Sequence, residues 1–205
     1  RHKIITKMKV NVCPYCNMNY TLTYKMGKGA NKTTADLDHF YIKSKHPQYA
    51  ICLYNFIPSC PVCNSRLKSI TNTTIYSHIY PHKEEFGDKA KFKICNIIGM
   101  ELTEDKTDLD IKLVTQKNVD DRILNSMETF KIEELYKNHI DIGKELLDKS
   151  KKYNETWIKE KADIFDGEAS ARVVIFGKKL DSREIARTSL GKFRMDLLQQ
   201  LKVYK

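Results

Sequence analysis

Hydrophobic and polar residues alternate along the first part of the chain. Tyr20, Leu22 and Tyr24 are separated by polar residues, and this period of two predicts a strand after the turn that contains Cys13 and Cys16. The next segment, MGKGANKTT, is rich in Gly, Lys and Asn and has no periodicity. We therefore expect an exposed loop there.

A second strand is predicted at about residues 35–40, with Asp38 and His39 on opposite faces because side chains alternate along a strand. A long irregular loop is expected over residues 41–58, held by scattered apolar side chains. From Pro61 the chain can enter a helix, since proline is tolerated in the first turn. Strand, loop and helix together predict a ββα arrangement.

The pattern becomes helical after about residue 118. Apolar residues recur there at spacings of three and four, which is typical of amphipathic helices. They are Ile123, Leu124, Met127, Phe130, Leu135, Ile142, Leu146, Tyr153 and Trp157. Asp181 and Glu184 have the spacing of a capping box, which predicts a last helix that continues through Leu201. The predicted fold class is α+β, with a ββα module in residues 1–95 and a mainly helical region, a cap or docking surface, in residues 96–205.

Composition is that of an ordinary globular protein, with 205 residues of which 41% are hydrophobic. The sequence has no run of about 20 apolar residues that would predict a membrane span. Its first residues lack the apolar core of a signal peptide. We therefore expect a cytoplasmic protein with no membrane contact.

The net charge of +10 is concentrated in the first half of the chain. Residues 1–95 contain 15 basic residues (Lys and Arg) and 5 acidic residues (Asp and Glu), whereas residues 96–205 contain 21 basic and 21 acidic residues. A basic surface favours a polyanionic partner, because neutralising phosphates releases condensed counterions. Charge alone leaves the choice of partner open, since many basic domains bind no nucleic acid.

Four of the six cysteines form two CxxC pairs, Cys13 with Cys16 and Cys60 with Cys63. Paired knuckles favour a metal over disulfides. Four thiolates can hold one structural zinc ion per chain and brace a small segment with little core. His78 and His82 are followed by glutamate, but Pro81 between them argues against a helical metal grip.

Between and after the knuckles lies a set of residues suited to phosphodiester hydrolysis. That reaction needs a base for the attacking water and a cation to neutralise growing negative charge. Asp38 and the amide oxygen of Asn64 suit a catalytic Mg²⁺ or Mn²⁺, His39 suits a general base, and Asn55 can fix the loop that orients His39. Four basic residues flank the set and can grip phosphates: Lys43, Lys45, Arg66 and Lys68.

This order of residues resembles the HNH motif of the His-Me finger, or ββα-metal, endonucleases, over about residues 10–70. The resemblance implies that His39 is the base, Asn55 the loop-fixing asparagine, and Asp38 and Asn64 the ligands of the catalytic cation. Asn64 stands where many members have histidine, and Ile42 where many have proline. The chain is also similar to small bacterial HNH proteins of anti-phage defence systems, such as the Septu-type nuclease that works beside an ATPase.

The leading hypothesis is a metal-dependent HNH endonuclease that cuts DNA in a bacterial defence system. One centre cuts one strand, so a double-strand break needs a homodimer or sequential nicks. Two alternatives are a zinc module that binds nucleic acid or protein without catalysis, and a nuclease that acts on RNA. A regulatory ATPase or another defence subunit is the expected protein partner.

Overall fold

The computed structural model describes residues 2–27, 29–96 and 109–204, which form a mixed α+β structure. It divides into two compact units. The first comprises Arg1–Ala90, Thr115–Ile132 and Ser182–Gly191, and the second Lys91–Val114, Glu133–Asp181 and Lys192–Lys205. Each unit thus draws on segments from both sides of residue 95, where the sequence analysis placed a domain division. Within the described residues, no helix combines the length and apolar character needed to cross a membrane.

In the described part of the chain, the strands associate in pairs into three small sheets, β1 with β2, β3 with β4, and β5 with β6. Their bounds are β1 (Thr23–Met26), β2 (Ala30–Thr33), β3 (Asp36–His39), β4 (Phe56–Ser59), β5 (Ala90–Cys95) and β6 (Asp110–Thr115). The α-helices are α1 (His2–Met8), α2 (Asp121–Thr129), α3 (Ile132–Lys137), α4 (Ile140–Lys152), α5 (Glu155–Glu160), α6 (Glu168–Phe176), α7 (Ser182–Ile185) and α8 (Gly191–Gln200). A π-helix covers Val62–Lys68, and short 3₁₀ turns cover Pro47–Tyr49, Leu53–Asn55, Gly87–Lys89 and Ala162–Phe165.

The first sheet is a hairpin, so the expectation of a plain loop after Lys25 was wrong. β2 pairs antiparallel with β1, and Tyr24 lies opposite Lys32. Gly27 and Gly29 have φ angles of 56° and 114°, which residues with a Cβ rarely adopt. These glycines reverse the chain, and the polar residues of β2 can then pair through their backbone without any hydrophobic period.

The strand expected near residues 35–40 is confirmed as β3, and the following loop ends in a second strand. β4 pairs antiparallel with β3, with Asp38 opposite Ile57 and His39 opposite Phe56. The expected helix after Pro61 is also present, but its last turn is wide. The Ser69 N–H donates to the Asn64 carbonyl at 3.0 Å, an i→i+5 bond typical of a π-helix. The sequence of strand, loop, strand and helix brings residues 36, 38 and 39 close to the helix.

The last predicted helix is interrupted in the structure. α7 ends at Ile185, and Leu190, with a φ of 57°, stands before α8. The Leu190 N–H donates to the Asn17 carbonyl at 2.7 Å, and the Ser189 hydroxyl donates to the Met18 carbonyl. These bonds to the segment after Cys16 replace helical bonds, which explains why periodicity alone did not locate the break.

The second unit has an aromatic core. Phe92 of β5 lies 4.2 Å from Tyr136 and 5.3 Å from Phe193, measured between ring centroids. The Asp196 carboxylate accepts the Phe92 N–H at 3.0 Å, which connects β5 to α8. The prediction of a mainly helical second region describes α2 to α8, but it missed strand β6, whose alternating residues pair with β5.

Candidate metal centre and active site

Four cysteine side chains from two separate segments meet in the first unit. The sulfur atoms of Cys13, Cys16, Cys60 and Cys63 all lie within 4.8 Å of one another, and all four residues are buried. Zinc at about 2.3 Å from each thiolate needs sulfur atoms about 3.8 Å apart in a tetrahedron. The quartet therefore fits zinc, and the prediction that the two CxxC pairs come together is confirmed.

Backbone hydrogen bonds shape the turn that carries the first two cysteines. The Cys13 N–H donates to the Asn19 carbonyl, and the Asn17 N–H donates to the Cys13 carbonyl, both at 2.8 Å. Asn17 has a φ of 49°, a conformation that asparagine tolerates better than most residues. The Cys63 N–H and the Asn19 side-chain amide each donate to Cys60 Sγ at 3.4 Å. Donors aimed at sulfur stabilise the thiolate, which is the form that binds metal.

The four thiols differ in their tendency to ionise. Hydrogen bonds with Cys13, Cys16 and Cys63 lower the pKa of Cys60, and a hydrogen bond with Cys13 lowers the pKa of Cys16. Burial raises the pKa of Cys13, and hydrogen bonds with the other three thiols raise the pKa of Cys63. Close thiolates repel one another, and a divalent cation at their centre would remove that repulsion and favour four thiolates.

The two histidines near residue 80 take part in other contacts. His78 is buried, with Nδ1 2.9 Å from Ser77 Oγ and Nε2 3.0 Å from Thr129 Oγ1. His82 is exposed, and its Nε2 donates to the Phe56 carbonyl at 2.9 Å. Among the residues the structure describes, the cysteine quartet alone gathers three or more metal-binding side chains. The two histidines therefore do not form a metal grip here.

Asp38 lies at the centre of a buried polar network. Its carboxylate accepts a hydrogen bond from the Tyr15 hydroxyl at 2.6 Å and an ion-pair hydrogen bond from Lys68 Nζ at 2.8 Å. Lys68 Nζ also donates to the His39 carbonyl at 2.6 Å. The Tyr15 ring stacks on Phe130 at 4.2 Å. This network joins the first cysteine turn, strand β3 and the π-helix, three segments distant in the sequence.

Burial and charge act on the ionisable groups of this network in a consistent way. Burial first, and then the neighbouring Asp38 charge, raise the pKa of Tyr15, so the phenol stays protonated and remains a donor. Burial lowers the pKa of Lys68, and the Asp38 carboxylate opposes that shift. Asp38 and Lys68 are only 5% and 2% exposed, so each charge depends on the other for its compensation.

The bonds of Asp38 bear on the cation site predicted at Asp38 and Asn64. Tyr15 and Lys68 bind one Asp38 oxygen each, and the Lys68 ammonium occupies the position of a positive counterion. The Asn64 amide nitrogen donates to Asp36 at 3.2 Å, a bond that does not involve the amide oxygen predicted as the ligand atom. A divalent cation at Asp38 would have to displace or repel the ammonium of Lys68. In this structure Asp38 is part of the buried framework.

His39 lies at the end of β3, half-buried, with its ring in edge contact with Phe56. Its Nε2 is 2.9 Å from the Ala50 carbonyl oxygen. A carbonyl oxygen only accepts hydrogen bonds, so Nε2 must carry a proton and the neutral ring has its lone pair on Nδ1. The loop therefore selects the tautomer, and Nδ1 is the nitrogen that can accept a proton.

Asn55 connects both ends of the loop that carries Ala50. Its buried side chain accepts the Tyr41 N–H at 2.6 Å and donates to the carbonyls of Tyr41 and Tyr49 at 3.0 Å and 3.1 Å. Because Tyr49 precedes Ala50, the same amide that closes the loop also positions the carbonyl that binds His39. Asn55 therefore joins the two ends of this loop, and the role that the resemblance implies for it in an active site stays a prediction.

Three of the four basic residues named as phosphate contacts are exposed, namely Lys43, Lys45 and Arg66. Lys68 differs from that expectation, because it is buried and paired with Asp38. It cannot reach an external phosphate from this position. Helical spacing placed it one turn after Asn64, but only the packing of β3 against the helix determines that it points inwards.

Sequence reasoning missed Tyr15, which links the cysteine turn to the strand of His39. Its position inside the Cys13–Cys16 knuckle was the available signal, since a tyrosine whose ring is buried there needs a hydrogen-bond partner for its hydroxyl. Sequence spacing cannot predict its acceptor, because Asp38 is 23 residues away.

No family model, curated protein or solved structure matches the chain. The resemblance to the HNH endonucleases therefore depends on the residues described above and on their arrangement.

Proposed function

We propose that this chain is an HNH-type endonuclease that hydrolyses phosphodiester bonds in DNA, with a structural zinc ion at the cysteine quartet. The observation that carries the proposal is the bonding of His39. Asn55 closes the loop, the loop carbonyl of Ala50 binds Nε2, and Nδ1 is left as the basic nitrogen. A general base needs this combination of a defined tautomer and a defined orientation.

In the proposed reaction, His39 Nδ1 takes a proton from a water molecule as the water oxygen bonds to phosphorus. The bond from phosphorus to the leaving oxygen breaks, and that oxygen keeps the bonding electrons and takes up a proton from solvent. Lys43, Lys45 and Arg66 are exposed cations that can hold adjacent phosphates. The net charge of +10 on the sequence supports a polyanionic substrate.

Dependence on Mg²⁺ or Mn²⁺ remains a prediction from the sequence. The bonds of Asp38 to Tyr15 and Lys68 argue against that residue as a ligand in the described geometry. A defence-system role, an ATPase partner and a homodimer are likewise part of the proposal and depend on the resemblance alone.

The test is cleavage of supercoiled plasmid by the purified zinc protein, with Mg²⁺, with Mn²⁺ and with a chelator that leaves the bound zinc in place. We expect nicked plasmid with the wild type and a loss of at least about 100-fold in the His39→Ala variant, the scale of general-base catalysis. The control is His82→Ala, because His82 also donates to a backbone carbonyl but is not part of the site. Equal cleavage by His39→Ala and wild type would remove the proposed base.

A second candidate function follows from the Asp38–Lys68 pair. If Asp38 serves only the buried framework, the chain is a zinc module that binds nucleic acid without cleaving it. This candidate predicts salt-sensitive binding of plasmid and no nicking with either cation. Single-stranded RNA and DNA of the same sequence, incubated side by side, distinguish the DNA nuclease from an RNA nuclease.

A further inference from the structure

Among the residues that the structure describes, the β1–β2 hairpin and the residues before it present large apolar side chains that are only partly covered. Along residues 20–24, burial alternates with sequence: Thr21 is buried and Thr23 half-buried, whereas Tyr20, Leu22 and Tyr24 are exposed. Four large side chains lie about half in solvent: Tyr20 (53%), Leu22 (45%), Tyr24 (48%) and Met26 (55%). Alternation along β1 places Tyr24 and Met26 on one face, and the exposed positions Tyr20 and Leu22 continue the same period of two before the strand. We call this set, together with Lys32, the hairpin face.

Contacts with neighbouring segments stabilise the hairpin. Its large apolar side chains can therefore stay partly exposed. α1 packs against both strands, and its Ile5 is buried. The Thr34 hydroxyl accepts the Leu22 N–H at 2.9 Å and donates to the Tyr20 carbonyl at 3.1 Å. A two-stranded hairpin alone is marginally stable in water, so these contacts explain how it can present large apolar groups to solvent.

The segment of the sequence that forms the hairpin carries charge of one sign. Residues 1–35 contain seven Lys and Arg and no Asp or Glu, and the first acidic residue is Asp36. Lys32 lies directly opposite Tyr24 in the strand register, so a cation stands beside an exposed ring. Aromatic rings for bases, next to cations for phosphates, are the combination by which single-stranded nucleic acid is bound.

We propose that the hairpin face binds single-stranded nucleic acid, with bases stacked on Tyr20 and Tyr24 and the backbone held by Lys32. Duplex nucleic acid fits less well, because its bases are stacked on one another and present only their edges, not their flat faces, to a protein. Tyr20 and Tyr24 are four residues apart, about 13 Å along a strand, so the two rings hold bases that are not adjacent. The inference extends the proposed function, since it gives the nuclease a surface for unpaired substrate.

The test measures binding separately from cleavage. The full chain carrying His39→Ala is titrated, without added divalent cation, into fluorescein-labelled 20-mers of dT, of U and of a DNA duplex. We expect tighter binding to the single strands than to the duplex. Tyr24→Ala should weaken single-strand binding by roughly 5-fold to 150-fold, the range for loss of one stacked base, while Tyr24→Phe should keep it.

Two controls separate stacking from charge and from general surface effects. Tyr76 is 87% exposed in the same unit, and Tyr76→Ala should leave binding unchanged. Lys32→Ala should reduce the slope of log affinity against log salt by about 0.7 for a single strand. The dT and U arms show whether the face distinguishes DNA from RNA.

Binding that is the same for Tyr24→Ala and its parent, or a preference for duplex, would overturn the inference. Self-association through this face, seen as a dimer in sedimentation that Tyr24→Ala dissociates, would overturn it as well. These outcomes leave plasmid cleavage by the wild type untouched. Conversely, tyrosine-dependent binding by a chain that cleaves no plasmid would support the hairpin face and reject the proposed nuclease.

Discussion

Replacing Lys68 with methionine removes the charge from the buried network while keeping most of the side-chain volume. The change deletes two hydrogen bonds, to Asp38 at 2.8 Å and to the His39 carbonyl at 2.6 Å. It leaves the Asp38 carboxylate 5% exposed with the Tyr15 hydroxyl as its remaining described donor. Removing one partner of a buried ion pair typically costs about 3–5 kcal/mol.

We expect the thermal midpoint of Lys68→Met to fall by about 6–20 °C, since 1 kcal/mol corresponds to about 2–4 °C in a chain of this size. Thermal unfolding followed by near-ultraviolet circular dichroism measures the shift, and metal analysis checks that zinc is retained. Asp38→Asn in the Lys68→Met background should recover part of the loss, because the neutral amide still accepts the Tyr15 bond. The matched control is Arg66→Met, an exposed cation on the same helix, which should change stability by less than about 0.5 kcal/mol. A Lys68→Met midpoint equal to that of Arg66→Met would refute the buried pair.

Three further predictions concern the loop, the metal and pH. Asn55→Ala leaves the Tyr41 N–H and two loop carbonyls without their partner. Plasmid nicking should therefore fall by about 100-fold, because the base is misplaced, whereas the control Asn72→Ala should keep it. Unchanged nicking in Asn55→Ala would contradict the role of the loop. Cys60→Ser should abolish zinc binding and destabilise the first unit. The control Cys52→Ser, which lies outside the quartet, should keep one zinc ion per chain. Equal zinc content in the two variants would rule out the quartet as the zinc site. Burial, and then the charge of Lys68, lower the pKa of His78 below 6.5, so the folded state binds fewer protons than the unfolded state. The stability that comes from keeping His78 neutral is present above pH 6.5 and is lost as pH falls towards the folded pKa. Measured by urea unfolding, the free energy of unfolding of His78→Asn should therefore decrease less than that of the wild type between pH 7 and pH 5.5. Identical slopes against pH would exclude His78 as the source of this pH dependence.

Local patterns predicted the parts of the site that depend on neighbours in the sequence. The two CxxC pairs indicated a metal-binding quartet because two-residue spacing alone brings each pair of thiols together. The alternation around Asp38 and His39 predicted β3, and Pro61 predicted the start of the helix. The hairpin strand β2 was missed because polar residues can pair through their backbone without a hydrophobic period. The break before Gly191 was missed because its cause is a hydrogen bond to Asn17.

The sequence by itself determined the chemistry that is available: four soft thiolate ligands, an imidazole after an acidic residue, a loop asparagine and a basic first half. Tertiary structure decided how those groups are used. Asp38 and Lys68 are 30 residues apart, and spacing describes neither the burial that makes their pairing obligatory nor the Tyr15 hydroxyl that completes it. Likewise, the carbonyl of Ala50 selects the tautomer of His39 only after Asn55 has closed the loop. Burial and long-range hydrogen bonds arise from packing, and they change the role of a side chain without changing its identity.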